Sequence, residues 1–380
     1  MRKRERPGRG SALTWIAAAV LAAALLPAAP VSGEESRFGM NRVNLAWASP
    51  FARQQILDAM ASHGIDLVRL SLTPPFDASL DALRIAHERG MRILLEIPLG
   101  NERFYPPHAA KRSGHGRIWD IHRLSEIDPQ AFHLAFRDAL RRIDAHGIGL
   151  LAVQPGNELN IGGYNGDLHV YARGNMRTAR SRAELTNRAA FHRGIEKYVT
   201  ILRIVRDELD NSQINRQAKI ISAGISDMSA VHADERGMER IAADEFIGIL
   251  RAAGIENHID AFGLHVYPNQ GQSSETRRRH LGAILSLCQT PPEGKPCWIS
   301  EWGIANTSDQ CPLNDEHRAH VIREVRELLE GMIRDERLSR AFYFDWDSAT
   351  PYSVWRCEKL TQAGVAAIAP ARGSSRSSAR

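Results

Sequence analysis

The chain has 380 residues, of which 43% are hydrophobic, 24% charged and 7% aromatic. Values this near the globular average exclude a disordered, collagenous or rod-like chain, and the length admits one large α/β barrel or two ordinary domains. The net charge of +5 comes from the ends: residues 1–10 carry +4 and residues 372–380 carry +3, so that 11–371 sum to −2, and no basic face remains for a nucleic acid.

Read from the N-terminus, a basic segment (Arg2 to Arg9) precedes an apolar run (Ala12 to Leu26). Pro27 ends that run, and the small residues Ala28, Ala29, Ser32 and Gly33 follow. This is the order of a secretory leader. Residues 1–33 are therefore read as a signal peptide or, if uncleaved, as an N-terminal anchor, and the protein is expected to be secreted or periplasmic. No later apolar run is long enough to span a membrane. The four cysteines, Cys288, Cys297, Cys311 and Cys357, form an even set in an exported chain, which suggests two disulfides in one of three connectivities. Cys288–Cys297 would close a short proline-rich loop, and Cys311–Cys357 would then tie two late loops together.

Beyond the leader, short apolar runs alternate with amphipathic stretches. The runs are 38–45, 66–72, 91–97, 149–154, 219–224, 259–267, 297–301 and 340–346. Each is short enough for a strand, and most are too apolar for a half-exposed one. Helices are expected at 51–63, 79–89, 130–146 and 245–253, each followed by a glycine (Gly64, Gly90, Gly147, Gly254) that can close it. Two longer helices are expected at 187–209 and 315–334. Eight strands alternating with helices over 34–369 predict a single-domain (β/α)8 TIM barrel of the α/β class. A doubly wound sheet is the competing architecture, but neither G-x-G-x-x-G nor G-x-x-x-x-G-K-[ST] occurs. The long connections 99–128 and 160–184 leave strand C-terminal ends, where a barrel keeps its active site. The Ser/Arg-rich tail, 370–380, is expected to be disordered.

Polar residues collect at those strand ends. Asn157-Glu158 follows the fourth strand, Glu301-Trp302 closes the seventh, His265-Val-Tyr267 ends the sixth, Asp345-Trp346-Asp347 ends the eighth, and Arg69 lies in the second. In a barrel these positions converge on one mouth, although Glu158 and Glu301 are 143 positions apart in sequence. Two carboxylates facing each other there suit cleavage of a glycosidic bond. One donates a proton to the leaving oxygen, and the other attacks or stabilises the anomeric carbon.

This ordered set resembles the clan A glycoside hydrolases, in particular the cellulase-like family five and its relatives. Those barrels carry Arg on strand two, Asn-Glu on strand four, His-x-Tyr on strand six, Glu on strand seven and Trp on strand eight, matched here by Arg69, Asn157-Glu158, His265-Val-Tyr267, Glu301 and Trp346. The resemblance covers about 38–350. It departs at strand three, where many members place a His and this chain reads Glu96-Ile-Pro-Leu, with His108 and His115 only further along; Glu96 is read as structural.

The resemblance implies a retaining β-glycosidase acting on a poly- or oligosaccharide, with Glu158 as acid/base and Glu301 as nucleophile held ionised by Arg69 and Tyr267. Asn157 would bond the sugar 2-hydroxyl, and His265 would orient substrate or acid/base. Trp346 would offer a platform to the ring, and Trp302 would join the substrate-binding set. Trp47, Tyr105, Trp119, Tyr164, Tyr171 and Trp355 are candidates for outer subsites. No cofactor and no metal are expected, the partner is a carbohydrate, and the protein is expected to be a monomer. Two rival readings stand beside this one. The first is a non-catalytic carbohydrate-binding barrel of an envelope polysaccharide system. The second is a metal-dependent hydrolase built on His265 with His169 or the Asp345/Asp347 pair, for which no H-x-H or H-E-x-x-H spacing exists.

Overall fold

A computed structural model describes residues 36–112, 121–171, 174, 176–308 and 310–369. The expected leader (1–33), the expected disordered tail (370–380), His115 and Trp119 lie outside the described residues.

One parallel sheet organises the chain. Its strands are β1 (Phe38–Asn41), β2 (Leu67–Ser71), β3 (Arg92–Ile97), β4 (Leu150–Pro155), β5 (Lys219–Ile220), β6 (Ile225–Ser226), β7 (Phe262–Val266), β8 (Cys297–Trp302) and β9 (Leu338–Tyr343). They neighbour in the order β5-β4-β3-β2-β1-β9-β8-β7-β6. The short segments β5 and β6 are two ends of one stave, interrupted at 221–224. Single bridges from Ile221 to Ala261 and from Gly224 to Asn157 carry the pairing across that break. The ring thus closes with eight staves, the expected (β/α)8 barrel.

Helices α1 (Pro50–Ser62), α2 (Phe76–Glu88), α3 (Pro129–Ala145), α4 (Arg188–Asn211), α5 (Ala230–Glu235), α6 (Ala243–Ala252), α7 (Ser274–Leu285), α8 (Glu316–Arg334) and α9 (Gln362–Ile368) run between and after the staves. Several starts are fixed by a side-chain oxygen on an orphan N–H: Ser49 accepts from Ala52, Asp128 from Gln130 and Asn187 from Ala190, as helix N-termini require. The first two ends pass into Gly64 and Gly90 at φ 79° and 73°, the left-handed conformation expected of them. The sequence reading lacks α5, α7 and α9. The pattern of α7 is masked by its charged Glu275, Arg277, Arg278 and Arg279, and only Arg277, Leu281, Ile284 and Leu285 are buried. α9 has small residues in place of an apolar stripe. Arg326 of α8 holds its end by donating to the carbonyls of Ala366 and Ala367 at 3.2 and 2.9 Å, where a cation also meets the negative end of the helix dipole.

The barrel interior is built by period-two alternation. Leu67, Leu94, Ala152, Ile221, Ala261, Trp298 and Phe342 form a separate apolar cluster, with Trp298 stacked on Phe342 at 6.1 Å. Two positions further along their strands come polar residues: Arg69 after Leu67, Glu96 after Leu94, Gln154 after Ala152, Ser300 after Trp298. An apolar plug therefore lies beneath a buried polar layer, and that layer supports everything at the mouth. The outer faces of the staves pack on the helices in a single continuous core. Disulfides join Cys288 to Cys297, between α7 and β8, and Cys311 to Cys357, between the loops that follow β8 and β9. Among the described residues no helix is long and apolar enough to cross a membrane.

Candidate active site

The polar layer sets the geometry of the mouth. Gln154 donates to Ser222 O at 3.0 Å and to Ser300 Oγ at 2.8 Å, while its Oε1 accepts from Arg69 Nε at 2.8 Å. Asn41 donates to Ser300 O at 2.9 Å and accepts from Arg69 Nη1 at 3.0 Å. The fully buried guanidinium of Arg69 is thus fixed from below. Above, its Nη1 donates to Glu301 Oε1 at 2.6 Å and its Nη2 to Asn157 Oδ1 at 3.1 Å. A planar fork with several rigid donors can serve all four acceptors at once.

Glu301 faces inward because β8 is irregular. Its register slips between Leu264 and His265 against β7, and between Ile299 and Trp302 against β9. The extra residue lets both Ser300 and Glu301 point to the barrel axis, a common use of a bulge. Tyr267 donates its hydroxyl to Glu301 Oε2, and His265 Nδ1 lies 3.4 Å from the same oxygen. Burial pushes the Glu301 carboxyl up. The charges of His265 and Arg69 and the hydrogen bonds from Tyr267 and Arg69 outweigh it and hold the group below the usual carboxylate range. Burial raises the Tyr267 hydroxyl well above its ordinary value, and the charges of Glu301 and Glu158 add to that, so it remains a donor.

Glu158 occupies the left-handed backbone region at φ 43°, where a residue with a Cβ is uncommon. Its N–H donates to Gly224 O at 2.7 Å, and its Oε1 lies 3.1 Å from His265 Nδ1. One carboxyl oxygen each of Glu158 and Glu301 and one ring nitrogen of His265 all lie within 4.8 Å of one another. Among the described residues this is the cluster with metal-like spacing, yet its donors do not suit a cation. Both Glu301 oxygens already accept, from Arg69 and Tyr267, and the Arg69 guanidinium already brings a positive charge to the carboxylate that an ion would neutralise.

A cavity of about 590 Å³ opens beside these groups, bordered by Arg69, Glu96, Asn157, Glu301 and Phe344, with Trp47 and Tyr164 further out. That volume is in the range of a small-molecule cleft. Arg69, Asn157, Glu158, His265, Tyr267 and Glu301 thus assemble at one place. Trp302 and Trp346 do not join them. The bulge that turns Glu301 inward turns Trp302 outward, where it is 1% exposed and meets Tyr343 edge-on at 5.0 Å. Trp346 is equally buried and stacks on Trp355 at 5.2 Å, because β9 ends at Tyr343 and the chain has already left the barrel. Phe344 is the aromatic that borders the cavity, edge-on to Tyr267 at 6.2 Å.

The remaining candidates divide likewise. Tyr105 is buried against His122. Asp345 accepts from Thr350, Ser353 and the Ser348 N–H, and Asp347 pairs with Arg42. His169 pairs with Glu239 at 3.6 Å. Sequence reasoning missed Glu96, Phe344 and Gly224. A carboxylate at the end of an otherwise apolar strand was the signal for Glu96. Nothing comparable marks Gly224, where a Cβ would sit 1.9 Å from His265 Nε2.

No protein-family profile matches the chain, and no curated protein does. Solved structures do match. One is GH5_18 from Streptomyces cattleya in complex with Manβ1-4GlcNAc, with TM-score 0.56 and 13% identity over 87% of this chain and 79% of that one. Another is exo-β-1,4-mannosidase Op5Man5 from Opitutaceae bacterium strain TAV5, at 0.54 and 15% over 87% of this chain. A third is ZgEngAGH5_4 in complex with a cellotriose, at 0.53 and 11% over 87% of this chain and 93% of that one. The chain spans 58% of the length of the mannosidase, and 62% of the length of a matching family 39 glycoside hydrolase from Bacteroides cellulosilyticus WH2. At these identities the likeness is one of architecture: the chain has the (β/α)8 barrel fold found in clan A glycoside hydrolases.

Proposed function

We propose that the protein is a retaining β-glycosidase that cleaves a poly- or oligosaccharide by double displacement. The observation that carries this reading is the approach of Glu158 and Glu301 to within 4.8 Å at the strand C-terminal mouth, in unlike surroundings. Retaining enzymes hold their carboxyl groups about 5 Å apart, whereas inverting ones leave room for a water. Glu301, kept ionised by Arg69 and Tyr267, attacks the anomeric carbon while Glu158 gives its proton to the leaving oxygen. A water then attacks the glycosyl ester of Glu301, and Glu158 takes the proton back. His265 orients the Glu158 carboxyl. Asn157, whose Oδ1 is already placed by Arg69, presents its amide N–H to the sugar 2-hydroxyl, and Phe344 offers the ring an apolar wall. The two disulfides and the leader-like N-terminus support a site of action outside the cytoplasm, and one chain supplies every group named, so a monomer suffices.

The neighbours' β-1,4-linked mannosyl and glucosyl ligands name the first substrates to try. Digestion of gluco-, manno- and galacto-configured β-glycans, with product anomers read by NMR, should give net retention. Glu158→Gln and Glu301→Gln should each cost about 10³-fold or more in kcat with unfolding curves near wild type. Wild-type turnover in either variant, or inverted products, would refute the assignment.

A further inference from the structure

Glu96 is the third carboxyl of the cleft and takes no part in the mechanism above. It is 4% exposed yet borders the cavity together with Arg69, Asn157 and Glu301. A buried carboxyl is ordinarily met by donors of its own protein. Here, among the described residues, no N–H or O–H donates to the Glu96 carboxyl, although the Leu72 N–H meets its backbone carbonyl. Ser71 and Gln154 are its neighbours in register on β2 and β4; the Ser71 hydroxyl oxygen accepts from the Asn44 N–H at 2.7 Å, and the Gln154 amide is committed to Ser222 and Ser300. The Arg69 guanidinium is committed to four other acceptors. The charged groups facing it are Arg69 from β2 and Glu301 from β8. Glu158, His265 and Tyr267 complete the titratable set of the mouth, and Glu102 and Arg103 border the outer cavity.

We propose that Glu96 is a sugar-contacting, specificity-determining residue of this cleft, taking an adjacent pair of hydroxyls on the uncharged pyranose that Glu301 attacks. This rests on the glycosidase reading and adds the group that recognises the ring. Burial pushes the Glu96 carboxyl up to about 8, with Arg69 opposing and Glu301 reinforcing. Below that pH it is a neutral acid whose O–H donates and whose C=O accepts, the pattern that two neighbouring hydroxyls complement. Above it the group can only accept, and it repels Glu301. An anionic sugar would add to that repulsion, and a cationic one would need Glu96 ionised. A neutral ring suits the carboxyl as the fold presents it.

The test is calorimetric titration of the full chain, carrying Glu158→Gln to stop turnover, with cellotriose, mannotriose, laminaritriose and the fully de-N-acetylated chitotriose. At least one neutral trisaccharide should bind at pH 6.5. Adding Glu96→Ala should weaken it about 10- to 100-fold, the loss of two hydrogen bonds, whereas Glu96→Gln, which keeps a donor and an acceptor, should stay within about fivefold. Between pH 7 and 9 affinity should fall about tenfold with Glu96 and stay flat with Gln. Should the Ala variant not fold, the pH comparison alone decides. The proposal is overturned if no neutral trisaccharide binds, if the amino sugar alone binds, if Ala leaves affinity unchanged, or if the Gln variant keeps the alkaline fall. Hydrolysis at the wild-type rate in the Glu158→Gln background would instead sink the catalytic reading and leave this binding result standing.

Discussion

Arg69 reaches four acceptors carried by three different staves, β1, β4 and β8, and Glu301 is the charged one among them. A buried ion pair is costly to break from one side, because the remaining charge loses its partner without regaining water. Arg69→Met should therefore destabilise the protein by about 3–5 kcal/mol and move the acid limb of kcat/KM to higher pH, since Glu301 then keeps its burial and loses its largest hydrogen-bonded cation. Arg69→Lys should restore part of the stability and little of the activity, because an ammonium cannot reproduce the planar fork. Chemical denaturation and a pH–rate profile read the two effects separately; His265 and Tyr267 still lower the Glu301 carboxyl in Arg69→Met, so the limb should move only part of the way, and an unmoved acid limb would contradict the role given to this pair.

The carboxyls also pull stability in opposite directions with pH. Glu301 lies below its ordinary value when folded, so its contribution is complete above about 4.5 and is lost as pH falls through the lower folded value. Glu96 does the reverse. Its folded value of about 8 exceeds the ordinary 4.5, so the unfolded chain releases that proton first, and stability drains as pH rises between those values. By pH 7 the deficit is about 3 kcal/mol as an upper bound. Glu96→Gln should accordingly raise the unfolding free energy at pH 7 to 8 and change it little near pH 4, in urea titrations at each pH. A gain of the same size at both ends would mean that ionisation is not its source.

Among the elements, the break between β5 and β6 does most for the site. The carbonyl of Gly224 holds the Glu158 N–H, and its missing Cβ makes room for the His265 ring. Gly224→Ala should displace His265, cost about 100-fold or more in kcat and lower the melting temperature; Gly149→Ala, with open space around its Cβ position and no left-handed backbone, separates that contact from the mere loss of a glycine. Elements of this kind resist reading from sequence. The units that end at Gly64, Gly90, Gly147 and Gly254 were legible because hydrophobic period, helix stop and strand recur in one register. The run 219–224 reads as one strand and stops short of Ile225–Ser226, since a gap in hydrogen bonding leaves no compositional trace. The bulge in β8 is equally silent: strict alternation cannot place Ser300 and Glu301 on one face. Trp302, expected at the substrate as an aromatic beside a loop, is the residue that the bulge carries to the outer face. For Trp346 the error was a strand end drawn three residues too late, which hid Phe344 inside the run.

At the scale of the whole molecule, barrel and carboxylate pair were legible together because a closed ring leaves little choice. Once eight staves are counted, residues ending the fourth and seventh must share a mouth. The walls that choose a sugar were not legible, being irregular loops whose shape depends on distant partners, and the loops after β8 and β9 show how such partners act. Arg356 donates to the carbonyls of Asn306 and Ser308. Arg318 pairs with Asp315 and reaches the Ser353 carbonyl at 3.3 Å. Cys311–Cys357 closes a span of 46 residues around them. Tyr352, carried on the second loop, packs against Tyr267 at 4.9 Å, and Tyr267 holds Glu301. Loop-closure entropy assigns this bond about 4 kcal/mol and the nine-residue Cys288–Cys297 span about 2.5. Access to solvent should let the half-exposed Cys311–Cys357 bond react first with mild reductant, and its longer span should make its loss cost more in unfolding free energy than that of its buried counterpart. Ser replacement of Cys311 and Cys357 together should leave a folded barrel with a lower denaturation midpoint and kcat/KM reduced less than tenfold, since the Arg318 and Arg356 contacts still tie the loops. A collapse of activity with the fold intact would mean that the disulfide itself, rather than the surrounding hydrogen bonds, positions Tyr352 and through it Tyr267.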